Sequence, residues 1–239
     1  MQSPVLTVCE LSMSFGDTIV LKNISFSVGS GETLGLFGKS GSGKTTIGRC
    51  IVGLEKPTGG EILVHGKNIL NMEKKEFRKL RPKIQMIFQH PETSLDPRMK
   101  TYDSLIELVK IHNKKIEKTE FLEEIERIIE LAGLLPEHLA RYPGHLSGGE
   151  IQRIVLARIM ALSPDFIVAD EPTSMLDVSV QAQVLRLMQK LQNETGVAYL
   201  LISHDLDVLR KICHRIAYVE NGTITSIEKI DRESRSSII

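Results

Sequence analysis

The sequence contains few cysteines. Only Cys9, Cys50 and Cys213 occur, and they are odd in number and far apart in the chain. Such spacing gives neither a disulfide framework nor a zinc site, and it suits a reducing cytosol. We interpret all three as small, buried apolar side chains.

Long apolar runs and an excess of charge of either sign are also missing. No run approaches the roughly 20 residues that span a bilayer, and the N-terminus has no signal-peptide pattern. The formal net charge is zero because 30 basic and 30 acidic side chains balance. No field of the whole molecule therefore favours nucleic acid, although a local basic patch stays open. We expect no nucleic-acid partner, and we expect any membrane role to depend on a partner protein.

The length and composition are those of an ordinary globular chain. It has 239 residues, of which 41% are hydrophobic and 25% are charged. This is enough chain for a sizeable core in one domain, or in one domain with a subdomain.

A glycine-rich segment carries the strongest signal of function. It has the pattern G-x-x-x-x-G-K-[ST], follows a predicted buried strand at Thr33–Phe37, and precedes a predicted helix at Ile47–Val52. Glycines let backbone N–H groups wrap a triphosphate, and the helix directs its positive dipole end at the same anion. Lys44 is predicted to reach the outer phosphates and Thr45 to bind Mg²⁺. The alternative, a flexible loop with a chance lysine, does not explain the flanking strand and helix.

The predicted phosphate loop consists of Gly38, Lys39, Ser40, Gly41, Ser42, Gly43, Lys44, Thr45 and Thr46.

Two adjacent acids give the second strong signal. The apolar run that begins at Phe166 predicts a buried strand that delivers Asp170 and Glu171 to the carboxyl edge of a sheet. Beside a phosphate loop, Asp170 is expected to hold Mg²⁺ through water, and Glu171 to orient or deprotonate an attacking water. A surface turn before Pro172 is the alternative, and the preceding apolar strand argues against it.

Four further candidates are weaker when each is taken alone. Gln89 and His204 follow predicted parallel strands, whose carboxyl ends bind ligands in open α/β sheets. Phe15 is either a core or edge aromatic or a stacking partner for a base. The helix start at Ser147-Gly148-Gly149 is either a second phosphate site or a plain N-cap.

The rest of the chain predicts further strands and helices around these segments. Two predicted helices with no strand signal between them indicate a helical subdomain inserted into the sheet domain. A proline-containing loop is expected over residues 90–98. The other predicted strands are Val5–Leu11, Thr18–Val28, Glu61–Val64, Ile84–Phe88, Val197–Ile202 and a last one at Ile216–Val219, and the two helices are Tyr102–His112 and Glu117–Ala132.

The order of these motifs, with Leu146-Ser147-Gly148-Gly149 between Gln89 and Asp170, resembles the nucleotide-binding subunits of ATP-binding cassette (ABC) transporters over nearly the whole chain. The resemblance implies an α/β fold. Its P-loop NTPase core has a mainly parallel sheet and an N-terminal antiparallel β subdomain, formed by residues 1–88 and 163–239. An α-helical subdomain with the signature motif is inserted at about residues 89–162.

The resemblance also implies roles for the nucleotide-contacting residues. Phe15 matches the aromatic that stacks on adenine, and residues 38–46 match the phosphate loop. Thr45, Gln89 and Asp170 match the groups around Mg²⁺, and Gln89 is also the position that touches the attacking water and senses the membrane subunit.

The catalytic positions follow from the same comparison of motifs. Glu171 matches the general base and His204 the switch at the γ-phosphate. Since neither is replaced, we expect an active ATPase that uses ATP and Mg²⁺, and not a silent regulator.

The family works as a head-to-tail dimer of homologous ATPase subunits. Ser147, Gly148 and Gly149 of one chain would close on the ATP of the other, and Asp177 would communicate across the interface. Closure would switch two integral membrane permease subunits, fed by an extracytoplasmic substrate-binding protein, from the cytoplasmic face of the membrane. Glu150 stands where the family most often has glutamine, a variation that we expect to be tolerated.

Two segments resemble one branch of this family, the oligopeptide, dipeptide and nickel importers. They are Ser94–Arg98 and Leu176–Leu185. Such systems pair two different ATPase subunits. Peptide-type members usually extend further beyond the position of Gly222, which favours a nickel- or metallophore-type subunit or a truncated chain. A soluble cassette in DNA repair, translation or phosphonate degradation is the alternative.

Overall fold

The computed structural model describes residues 4–112 and 118–231, which form ten strands and eight α-helices. The strands are β1 (Leu6–Phe15), β2 (Thr18–Val28), β3 (Thr33–Phe37), β4 (Gly59–Val64), β5 (Lys67–Asn68), β6 (Ile84–Ile87), β7 (Phe166–Asp170), β8 (Ala198–Ser203), β9 (Arg215–Glu220) and β10 (Thr223–Lys229). The helices are α1 (Lys44–Ile51), α2 (Lys74–Leu80), α3 (Thr101–His112), α4 (Lys118–Leu131), α5 (Pro136–Ala140), α6 (Gly148–Met160), α7 (Val178–Thr195) and α8 (Leu206–Ile212).

Residue contacts divide the described chain into two compact units. Unit 1 lies within Met1–Met86, Asp165–Glu171 and Thr195–Ile239, and unit 2 lies within Ile87–Pro164 and Pro172–Glu194. Most of α7 therefore groups with unit 2, whereas the sequence-based division assigned residues 163–239 to the core. That division stays a prediction.

A six-stranded sheet with the order β10-β9-β3-β8-β7-β6 organises unit 1. Strands β3, β7, β8 and β9 run parallel, and β10 returns antiparallel to β9. Every residue of β7 is buried, as expected for a parallel strand that is covered on both faces. The predicted α/β architecture with a mainly parallel sheet is confirmed.

The N-terminal sheet of unit 1 is antiparallel, with the order β2-β1-β4-β5. Its first hairpin turns at Gly16 and Asp17, as predicted, and Leu6 lies opposite Val28. Inward-facing side chains of this sheet share one apolar core with Ile47 of α1 and with Val168 of β7. This core joins the two sheets and fixes the position of the phosphate loop between them.

The cysteines follow this packing. Cys50 and Cys213 are buried as predicted, and burial raises the pKa of the Cys50 thiol to about 12. Cys9 is only partly buried, so the prediction was wrong for it. On β1 the side chain of Val8 faces the core, and because side chains alternate along a strand, that of Cys9 points to the opposite face.

Unit 2 is helical, with α6 packed against α3, α4 and a short 3₁₀ turn at Pro91–Ser94. The Arg158 guanidinium donates to the carbonyls of Ser94 and Ser104 and thereby ties α6 to that turn and to α3. Among the described residues, no helix has the length and apolar character needed to cross a bilayer.

Several elements differ from the sequence-based expectations. Pro91 starts a 3₁₀ turn inside the expected loop, because proline fits the first position of a helical turn. The strand ending at Glu220 is not the last, since β10 follows it; β10 is largely exposed and polar, so its pattern was weak. Helices α2, α5 and α8 are short and were not predicted. Glu117 and residues 232–239 of the predicted polar tail lie outside the described residues.

The packing of β3 gives a test of the core. A Cβ added to Gly35 would lie 2.9 Å from Cys213 Sγ and 3.1 Å from a methyl carbon of Leu209. Gly35→Ala should lower the free energy of unfolding by about 1–3 kcal/mol, measured by urea denaturation, because the packed neighbours must move.

The matched control is another strand glycine, Gly59 of β4. There the nearest atom to an added Cβ is Ser12 Cβ at 3.8 Å, an ordinary contact. Gly59→Ala should change stability by less than about 0.5 kcal/mol. Equal losses in the two variants would contradict the packing argument.

Candidate functional site

The phosphate loop connects β3 to α1 in unit 1. Gly43 is the N-cap of α1 with φ +101°, a left-handed conformation that favours glycine. A Cβ at Gly43 would also lie 2.6 Å from Leu21 Cδ2. Space and backbone conformation therefore both require glycine at the point where the first N–H groups of α1, which lack helical partners, face an anion site.

Lys44 is 6% exposed and its ammonium group is held inside the loop. Nζ donates to the carbonyl oxygens of Gly38 at 2.7 Å and Lys39 at 2.9 Å. Burial lowers the pKa of Lys44, while Glu171 and Asp170 act in the opposite direction. The loop thus surrounds a cation that lies near two carboxylates.

Asp170 comes into contact with the phosphate loop at the end of β7. Thr45 Oγ1 donates to Asp170 Oδ1 at 3.2 Å. Asp170 is 5% exposed, and burial raises its pKa, an effect opposed chiefly by the Thr45 hydrogen bond. A hydroxyl and a buried carboxylate in contact are hard oxygen donors of the kind that Mg²⁺ prefers, so these two residues fit that ion.

Glu171 and His204 form a pair beside them. His204 Nδ1 lies 2.9 Å from Glu171 Oε1, and the Glu171 N–H donates to the Ile202 carbonyl at 3.0 Å. Glu171 has φ +47°, which is uncommon for a residue with a side chain and is a form of strain concentrated at functional sites. Its side chain is 18% exposed and that of His204 is 64% exposed. A carboxylate in this position can accept a proton from a ligand above the sheet edge.

Phe15 lies at the last position of β1 and is 48% exposed. It pairs with Thr18 at the start of β2. Two residues further along β2, the carbonyl oxygen of Val20 approaches the phosphate loop, 3.2 Å from a Cβ built on Gly43. An exposed aromatic ring therefore stands on the hairpin that borders the phosphate loop.

The remaining predicted residues belong to unit 2. Ser147 is the N-cap of α6, as one of the two interpretations predicted. Asp177 Oδ1 accepts from the Val180 N–H at 3.0 Å at the start of α7. Gly149 packs directly against the Val180 side chain, which brings the two helix starts together. Gln89 is exposed, two residues beyond β6.

A surface depression of about 390 Å³ lies over these two helix starts. Its lining includes the signature residues 147–149 together with Glu150, Asp177 and His138. His138 was not singled out from the sequence because, unlike His204, it does not follow a predicted strand, and it lies on the short helix α5. The nearest available signal was Pro136, a residue that often begins a helix. It places His138 at the third helical position, from which a side chain can reach back to the N-cap N–H.

A second cavity, of about 440 Å³, borders the phosphate loop in unit 1. Residues 37–42 line one side, and Tyr218 to Asn221 line the other. Sequence reasoning did not identify this β9 segment, because nothing in its composition marks a ligand contact.

Comparison with models of protein families gives a match that includes the phosphate loop and the two acids at the end of β7. The model of the ABC transporter family matches residues 21–174 of this chain.

Individual relatives extend the match over nearly the whole chain. The oligopeptide transport ATP-binding protein AmiF of Streptococcus pneumoniae is 44% identical over 97% of this chain and 77% of its own length. OppF of Bacillus subtilis is 43% identical over 90% of this chain and 71% of its own. The glutathione import ATP-binding protein GsiA of Escherichia coli O157:H7 is 45% identical over 87% of this chain and 33% of its own length.

Solved structures show the same fold. CbiO1 of Clostridium perfringens, part of the transporter complex cbiONQ, superposes with a TM-score of 0.85 at 28% identity, covering 95% of this chain and 89% of that one. The dimeric cassette MJ0796 bound to ADP and phosphate gives a TM-score of 0.82 at 29% identity over 95% of this chain and 99% of its own.

The buried carboxyl of Asp170 predicts a pH dependence of stability. Its pKa is raised in the folded state, so its contribution to stability is fully present below the pKa of the unfolded carboxyl, near 4, and is lost as pH rises through the folded-state pKa. Without nucleotide, Asp170→Asn should therefore melt at a higher temperature than the unmodified protein near neutral pH. The gap should shrink towards about pH 4.

Thermal unfolding across this pH range measures the gap, with Asp17→Asn in the exposed β1–β2 turn as the control. A destabilised Asp170→Asn variant at neutral pH, or a gap that is independent of pH, would contradict the assigned effect of burial.

Proposed function

The chain belongs to the ABC transporter family, as an ATPase cassette that couples ATP hydrolysis to transport, and we propose that it is the peripheral nucleotide-binding subunit of an importer for peptides or small metal chelates. The observation that carries the mechanism is the cluster of Lys44, Thr45, Asp170, Glu171 and His204 in unit 1.

Relatives named for oligopeptide transport and glutathione import support a peptide-like cargo. Nickel complexes and metallophores are the alternative cargo, supported by the resemblance of Ser94–Arg98 and Leu176–Leu185 to a branch that includes nickel importers.

ATP would bind with its phosphates on residues 38–46. Lys44 would exchange its carbonyl partners for the outer phosphate oxygens, and the adenine would stack on the exposed ring of Phe15. Thr45 and Asp170, which are in contact, would hold Mg²⁺. When bound, this ion neutralises charge on the β- and γ-phosphates.

Hydrolysis would depend on the two residues that follow β7 and β8. The Glu171 carboxylate would accept a proton from the attacking water. His204, which lies 2.9 Å from Glu171, would orient that carboxylate and contact the γ-phosphate. The left-handed backbone of Glu171 supports a role that needs one fixed side-chain direction.

The proposed assembly is a head-to-tail dimer with a homologous ATPase subunit. Ser147, Gly148 and Gly149 would cover the nucleotide of the second subunit, and Asp177 would lie at the interface. The depression over the starts of α6 and α7 and the dimeric state of MJ0796 support this arrangement. Two integral membrane permease subunits and an extracytoplasmic binding protein would complete the importer at the cytoplasmic face of the membrane.

Glu171→Gln tests the catalytic proposal. The amide keeps the shape of the side chain but cannot accept the proton, so turnover should fall by about 10²–10⁴-fold while ATP binding is retained and a closed dimer accumulates. Phosphate release and size-exclusion chromatography with ATP measure the two effects. Glu61→Gln, at an exposed position of β4, is the control. Turnover close to that of the unmodified protein in Glu171→Gln would remove Glu171 from the role of base.

Co-purification from gently solubilised native membranes tests the transport assignment. We expect two polytopic subunits and a second, related ATPase, and the substrate-binding protein encoded with them would identify the cargo class. Recovery only from the soluble fraction, attached to an enzyme complex such as one for phosphonate degradation, would overturn the assignment to an importer and leave the ATPase in place.

A further inference from the structure

Glu150 holds both polar groups of Ser147. The Ser147 N–H donates to Glu150 Oε2 at 2.7 Å, and the Ser147 hydroxyl donates to the same oxygen at 2.8 Å. The return bond of this capping box, from the Glu150 N–H to Ser147 Oγ, is long at 3.4 Å. The one hydroxyl proton of the signature serine is thus directed at a carboxylate of its own chain.

His138 fixes the other oxygen of that carboxylate. His138 Nε2 lies 3.1 Å from Glu150 Oε1, and Nδ1 accepts from the Leu135 N–H at 3.0 Å. Because Nδ1 is an acceptor, the proton of the neutral ring is on Nε2, which donates to Glu150. The His138 side chain is only 12% exposed and that of Glu150 is 26% exposed, so the His138–Glu150 end of this chain of bonds is partly shielded from water, whereas Ser147 itself is exposed to the surface where a ligand would arrive.

These bonds favour the charged form of Glu150. The Ser147 N–H, followed by the Ser147 hydroxyl, lowers the pKa of the Glu150 carboxyl; burial acts in the opposite direction, and the charge of Arg141 adds to the lowering. Hydrogen bonds to an ionised acceptor are stronger than those between neutral groups. A glutamine at this position would offer Ser147 a neutral carbonyl oxygen instead.

We propose that Glu150 is a positioning residue that competes with the phosphate of the second subunit's ATP for the hydroxyl proton of Ser147. On closure the hydroxyl would rotate from Glu150 Oε2 to a phosphate oxygen, while the Ser147 N–H keeps its bond. The closed dimer is therefore less stable with glutamate at position 150 than it would be with glutamine. This inference rests on the proposed function, and it gives a consequence to the glutamate that was expected only to be tolerated.

A double-mutant cycle tests the competition. In the Glu171→Gln background with Mg²⁺ and ATP, the dissociation constant of the closed dimer is measured by sedimentation. Glu150→Gln should tighten the dimer roughly fivefold for each Ser147–Glu150 pair that the dimer contains, the scale of one net hydrogen bond. In a Ser147→Ala background the same change should give no gain, because no hydroxyl remains to be released. Ser147→Thr, which restores a hydroxyl, should restore the gain.

Two controls separate this effect from general changes in charge or folding. Glu137→Gln removes an exposed acid, 3.9 Å from His138 Nε2, without touching Ser147, and should leave the dimer unchanged. Ser147→Gly repeats the test without a hydroxyl at a residue that still caps helices well. The affinity of dilute, monomeric protein for a fluorescent ATP analogue should be the same in all variants.

Each other outcome contradicts the proposal in a recognisable way. If Glu150→Gln does not tighten the dimer, the proposal is overturned. If it tightens the dimer equally with and without the Ser147 hydroxyl, the effect comes from the charge of Glu150 and not from competition for the hydroxyl proton. If the Glu171→Gln parent binds ATP but forms no dimer, either alone or with the related ATPase that co-purifies with it, the proposed dimer fails as well, and this result is distinct from the other two.

Discussion

The parallel pairing of β3, β8 and β7 is the constraint on which the site depends. Phe37 lies opposite Ser203, and Asp170 lies opposite Ile202, so the three strands end at one edge of the sheet. The phosphate loop, His204 and the two acids follow directly from those ends. Side chains separated by more than a hundred residues thereby come within hydrogen-bond distance without any local motif that joins them.

The same edge concentrates features that are unfavourable for the folded protein alone. A lysine and an aspartate are buried there, and a glutamate has a left-handed backbone. Burial disfavours the charged forms of both Lys44 and Asp170, and they offset this cost partly for each other. Their hydrogen-bond partners are uncharged carbonyls and a hydroxyl, and a bound polyanion would add a negative charge for Lys44 to meet, so the charges at this edge suit a ligand better than they suit stability.

The capping box at Ser147 has a comparable double character. It satisfies backbone groups at the start of α6, as such boxes do in many helices. In this chain the box uses a charged glutamate that is itself held by His138, so the cap also determines which way the serine proton points. A structural motif of the helix therefore sets the chemical character of a surface that faces a depression of about 390 Å³.

Short-range sequence patterns predict the local elements of the site. The bounds of β2 and β3, the glycine loop before α1 and the buried strand that ends at Asp170 all follow from short-range patterns of apolar residues, glycines and acids. The contact of Thr45 with Asp170, the contact of His138 with Glu150 and the grouping of α7 with unit 2 emerge only from the folded chain. Strand β10 and the short helices also depended on it, because their own patterns are too polar or too brief. The physical reason is that periodicity and turn chemistry act over a few residues, whereas these contacts depend on how distant elements pack.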